Sequence, residues 1–226
     1  MPVFDLATTP LREFHRALHA APAGSNEAFE VLNPRGAHSV AVGAMAPVRV
    51  DVHGSVGYYC AGMNEAAEIV VHGSAGPGVA ENMMSGRVTV KGAASQYAGA
   101  TGRGGLLVIE GDASSRCGIS MKGIEIVVKG SIGHMSAFMA QKGVLAVLGD
   151  AGEALGDSLY EARLYVRGSV KSLGADCVEK EMRAEHIAQL SDLLARAGVE
   201  ADPASFRRYG SARKLYHFNV DHAGDY

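Results

Sequence analysis

Val88-Thr-Val-Lys-Gly92, Leu107-Val-Ile-Glu-Gly111 and Ile126-Val-Val-Lys-Gly130 repeat one pattern, in which two aliphatic side chains alternate with two others and a glycine follows. The same frame extends in both directions. Gly54, Gly73, Gly92, Gly111, Gly130, Gly149 and Gly168 stand 19 residues apart without a slip. A fixed period of this size is the mark of a solenoid, in which every repeat lies on its neighbour. Enzymes built from varied loops do not keep such a period, so the spacing favours an architectural role.

Counting back from each repeat glycine, the fourth position reads Val50, Ile69, Val88, Leu107, Ile126, Leu145, Leu164. The second reads Val52, Val71, Val90, Ile109, Val128, Val147, Val166. Side chains two apart on a strand share a face, so these fourteen aliphatics form the inside of the coil. The fold predicted is all-β, a right-handed parallel β-helix with 19-residue coils and helical N- and C-terminal extensions. The repeat glycine is expected at a sharp turn with positive φ, and further glycines 3 and 13 residues on mark a three-sided coil. The intervening positions face outward. Among them Lys91, Glu110 and Lys129 alternate in sign, a favourable cross-strand ladder. Val70, Val108 and Val127 instead form an apolar outer strip, predicted to lie beneath another element or a partner.

The ends read differently, dividing the chain into residues 1–30, 31–177 and 178–226. Thr9-Pro10 signals a helix from about Pro10 to Ala20, with Thr9 as N-cap and Leu11, Phe14 and Leu18 on one face. Val178 to Ala197 reads as a second helix ended by Gly198, and Asp202-Pro203 opens a short helical turn. Phe206 to Val220 combines arginines and lysine with aromatic residues, as capping and partner-docking segments do.

Composition narrows the function classes. Twenty-four acidic against 21 basic residues give a net charge of −3 without a basic stripe, which argues against nucleic-acid or anionic-membrane partners. Met1-Pro-Val-Phe-Asp lacks the basic and apolar regions of a secretory leader, and no apolar run reaches 18 residues, so a cytoplasmic protein is expected. Cys60, Cys117 and Cys177 are far apart and odd in number, and read as small buried hydrophobes rather than a disulfide, zinc site or nucleophile. His53 and His72 are predicted to stack on adjacent coils, where Lys91 follows them and no third metal ligand does. Gly76-Pro-Gly78 and Gly102-Arg-Gly104-Gly105 sit at coil bends rather than between a strand and a helix, unlike a dinucleotide site. Glu110, Asp112, Glu125 and Asp150 do not build a calcium-binding cluster. No catalytic, cofactor-binding or metal residue is assigned.

Asn33-Pro-Arg-Gly36, Glu110-Gly-Asp-Ala-Ser-Ser-Arg-Cys-Gly118 and Met139-Ala-Gln-Lys-Gly-Val-Leu-Ala-Val-Leu-Gly-Asp-Ala-Gly152 resemble the GXGXG domain at the C-terminal end of glutamate synthase large subunits. The resemblance spans about Val31 to Gly174, and a related domain occurs in a formylmethanofuran dehydrogenase subunit. The ending, Phe206 to Tyr226, resembles that of stand-alone GXGXG subunits, of which the best defined belongs to N-methylglutamate synthase. That enzyme makes N-methylglutamate from glutamate and methylamine and releases ammonia. The resemblance implies a non-catalytic subunit of a hetero-oligomer. Its partners would be a class II glutamine-amidotransferase-like subunit and an FMN-binding glutamate-synthase-like subunit, with FMN and an iron–sulfur cluster in the latter. A scaffold in another GXGXG-containing assembly and a free-standing β-helix enzyme are the alternative expectations.

Overall fold

The computed structural model describes residues 1–214, and the part of the C-terminal ending beyond Lys214 lies outside them. Among the described residues, eleven strands form one sheet: β1 (Val3–Asp5), β2 (Ala28–Leu32), β3 (Arg49–His53), β4 (Glu68–Val71), β5 (Arg87–Val90), β6 (Leu106–Ile109), β7 (Lys122–Val128), β8 (Lys142–Val147), β9 (Arg163–Val166), β10 (Cys177–Lys180) and β11 (Arg207–Ser211). Their order is β1 to β9 in sequence, followed by β11 and then β10. From β3 to β9 every pairing is parallel, and Val50, Ile69, Val88, Leu107, Ile126, Leu145 and Leu164 lie side by side. The chain is a parallel β-helix. All fourteen aliphatics of the two inward slots are fully buried. A second ladder two residues past each repeat glycine links Val56, Ala75, Ala94, Ala113, Ile132, Ala151 and Val170.

The repeat glycine has a different cause from the one predicted. Of the seven, only Gly54 has positive φ, at 140°. The other six are fixed by close stacking. A Cβ at Gly73 would lie 2.6 Å from the Gly54 carbonyl carbon and 2.6 Å from the Ser55 nitrogen, both backbone atoms of the coil before. Left-handed backbone falls instead 5, 7 and 9 residues later, at Tyr59, Ala61 and Met63, then Gly78, Ala80 and Asn82, and so through Ala154, Gly156 and Ser158. Most of these residues have a side chain, at a cost of about 1–2 kcal/mol each. Alternating the conformation turns successive N–H groups toward opposite neighbours. Gly78 and Asn82 donate to Gln96 and Ala100 of the next coil, while Ala80 donates to Cys60 of the previous one. The turn thereby keeps the ladder hydrogen-bonded, which a buried backbone requires.

Both ends carry strands as well as helices. Helix α1 (Leu11–Ala20) buries Phe14 and Leu18, and Phe14 packs edge-on to Phe4 of β1 at 5.4 Å. Its N-cap is Pro10 rather than Thr9, with no side-chain cap. At the other end, Val178–Lys180 is extended where a helix was predicted, because β11 turns back antiparallel on β9 and β10 pairs antiparallel with β11. Helix α2 therefore begins only at Ala184 and runs to Ala197, ended by Gly198 at φ 67°.

Helix α2 accounts for the apolar strip. Val108, Val127, Ala146 and Tyr165 on the outer face form one buried cluster with Leu190, Leu193 and Leu194 of α2 and with Phe206. Arg196 clamps the helix end to β7 through two hydrogen bonds to Glu125, at 2.6 and 2.9 Å. Val70 is buried as well, beyond that cluster. Among the described residues, no helix is long and apolar enough to cross a membrane.

Candidate functional site

From His53 to Lys129 the outward residues just before the repeat glycines form a polar ladder, which Leu148 interrupts before Arg167. His53 and His72 stack nearly parallel with ring centroids 4.9 Å apart, as their 19-residue spacing requires. His72 Nε2 lies 2.8 Å from Asp51, which also accepts from Arg49 at 2.6 Å. Burial opposes ionisation of Asp51, but the hydrogen bonds from Arg49 and His72 outweigh it and hold the carboxyl below its ordinary range. Further along, Glu110 accepts from Lys91 at 2.9 Å and from Lys129 at 3.3 Å, and the Lys91 bond is the main reason its pKa is lowered. These pairs satisfy one another, as structural ladders do.

The other acidic residues singled out in the sequence are also engaged in structure. Glu125 holds Arg196 of α2. Asp112 accepts the N–H of Ser131, and Asp150 accepts the N–H of Ser169, each at 2.7 Å. Ser55, Ser74 and Ser131 do the same for the following coil. This slot, one residue past the repeat glycine, is a side-chain ladder that caps backbone N–H groups across coils. Its Ser/Asp composition was the available signal, since these residues bond readily to nearby backbone. The Gly104 position is another close approach, with a Cβ there reaching 2.6 Å from the Met84 carbonyl oxygen. All three cysteines are buried, and burial pushes the Cys60 and Cys117 thiols up to about 12, which keeps them neutral. Among the described residues, no group of three His, Cys, Asp or Glu side chains is placed to share a metal ion.

Two surfaces have a different character. On the turn wall, Met45, Met63 and Met84 are 70%, 47% and 47% exposed and border a shallow cleft with Asn82, Thr101 and Arg103. Thr101 donates to Asn82 at 2.6 Å, which fixes the polar edge beside the methionines. Methionine suits a surface that must adapt to another shape. The second surface, at the C-terminal reversal of the sheet, is a polar cleft of about 350 Å³ lined by Arg163, Lys180, Arg183, Arg208 and Arg213. Sequence reasoning noticed the cations of the ending but not this convergence.

No family model matches the chain. It is 71% identical over 228 residues to Protein GlxC of Rhizobium meliloti (strain 1021), and the match covers the whole of both chains.

Proposed function

The chain belongs to the family of Protein GlxC, and on that premise we propose that it is a non-catalytic structural subunit of a glutamate-synthase-like complex. The observation that carries this reading is the in-register stack from β3 to β9. At about 4.8 Å per coil it makes a rigid body about 29 Å long between those strands. Such a body suits holding two other proteins at a fixed separation. The exposed methionine row offers an apolar surface for one of them. Resemblance of the coils to the GXGXG domain supports the same role.

In its finer form, the complex is N-methylglutamate synthase. The chain would position a class II glutamine-amidotransferase-like subunit against an FMN-binding synthase subunit. The flavin and iron–sulfur cluster belong to that synthase partner. Cys60, Cys117 and Cys177 are separately buried here and do not fit a cluster's ligand set.

Co-expression of the three chains tests the reading. The expected outcome is one stable complex that forms N-methylglutamate and ammonia from glutamate and methylamine, with no turnover by this chain alone. Full activity from the other two subunits without it would overturn the scaffold role. A complex that assembles but does not use methylamine would overturn only the finer assignment.

A further inference from the structure

The reversal of the sheet gathers cations that are distant in sequence. Arg163 comes from β9, Lys180 from β10, Arg208 from β11, Arg183 from the residue before α2, and Arg213 from just past β11. Among the described residues that line it, Glu161 is the one carboxylate. This excess of positive charge sits on a chain whose net charge is −3.

The local bonds orient these groups without neutralising most of them. Arg163 donates to the Gln189 amide oxygen at 2.9 Å, and Arg208 donates to the Glu181 backbone carbonyl at 2.9 Å. Both acceptors are uncharged. Arg213 stands 3.7 Å from Glu161, and Arg183 meets Glu181 at 3.3 Å and Glu185 at 3.8 Å on the solvent side. His186 is buried in the same wall and accepts the Arg183 N–H at Nδ1, so its neutral ring carries the proton on Nε2. Burial, together with Arg163 and Arg183, depresses the Arg208 pKa below its ordinary value. The N-terminal end of the 14-residue α2 adds its positive dipole to the same place.

Like charges held this close oppose folding unless something compensates them. We propose that this cleft binds a polyphosphate group, either free pyrophosphate or the diphosphate of a nucleotide. Several guanidinium forks converging from different strands match tetrahedral oxyanions better than a single carboxylate. A cleft of about 350 Å³ accommodates a ligand of that size.

The test reads binding on the isolated full chain, so it stands or falls apart from the subunit role. Titration calorimetry with pyrophosphate should show saturable binding that weakens steeply as salt is raised. Arg208→Gln and, separately, the surface change Lys180→Gln should each weaken it about tenfold or more, with the melting temperature of the Lys180 variant no lower than the parent's in the absence of ligand. ADP binding more tightly than pyrophosphate would identify a nucleotide as the source, and the reverse order a free anion. The proposal is overturned by no saturable binding at millimolar pyrophosphate, by variants that bind as tightly as the parent, or by succinate binding equally well.

Discussion

At Gly73 the missing side chain matters because of what lies beneath it. The backbone conformation there is ordinary, yet a methyl group would press on Gly54 and Ser55 of the preceding coil at 2.6 Å. Backbone atoms inside a hydrogen-bonded stack cannot move aside as a flexible side chain does. Gly73→Ala is therefore expected to cost about 1–3 kcal/mol, the range typical of overpacking. Gly198 offers the contrast. Nothing lies within 4 Å of its Cβ position, but its φ is 67°. Gly198→Ala should cost about 1–2 kcal/mol through backbone conformation alone, and it should loosen only the end of α2. Urea denaturation of both variants, with hydrogen exchange to locate the change, checks the distinction. A Gly73→Ala protein as stable as the parent would contradict the stacking account.

Helix α2 and the strip it covers form a cluster of their own, outside the coil interior, and are expected to open separately from the coils. Leu193 is fully buried in one cluster with Val108, Val127 and Tyr165, and its truncation leaves a void in the layer between helix and sheet. Leu193→Ala should cost about 2–5 kcal/mol. The loss should appear as faster amide exchange in α2 and β11, with β5 and β6 still protected. Equal loss throughout would mean that the helix and coils unfold together. The inward slots were legible from sequence because aliphatic side chains recur there with the strand period, and burial demands that pattern. The outer strip was legible as something needing a cover. That α2 supplies the cover was not, because Leu190, Leu193 and Leu194 carry no mark of the surface they meet. The left-handed turns were illegible for another reason. They are occupied by Tyr59, Met63, Asn82 and Arg116 as readily as by Gly78, since hydrogen bonding between coils imposes the conformation. The cationic cleft depends on the antiparallel reversal, which local sequence does not announce.

For the whole molecule, the two ends of the sheet are finished in unlike ways. The N-terminal edge is the three-residue β1, packed beside α1. At the C-terminal edge, the strands change direction, so that the last of the parallel series, β9, is paired by β11 running the opposite way. A chain cut after Lys171 would leave β9 paired only with β8, its outer edge open, and the Val108–Tyr165 strip uncovered. It is expected to assemble with itself in a concentration-dependent manner, as light scattering and electron microscopy would reveal, because an open edge beside apolar surface invites another strand. A truncated chain that stays monomeric would sink this expectation. A stack of identical coils has no intrinsic length, and one more copy could in principle be added at either end without limit. Strand β11 runs against β9 and so ends the coil-on-coil parallel pairing there, a stopper that makes a potential fibre into a discrete particle.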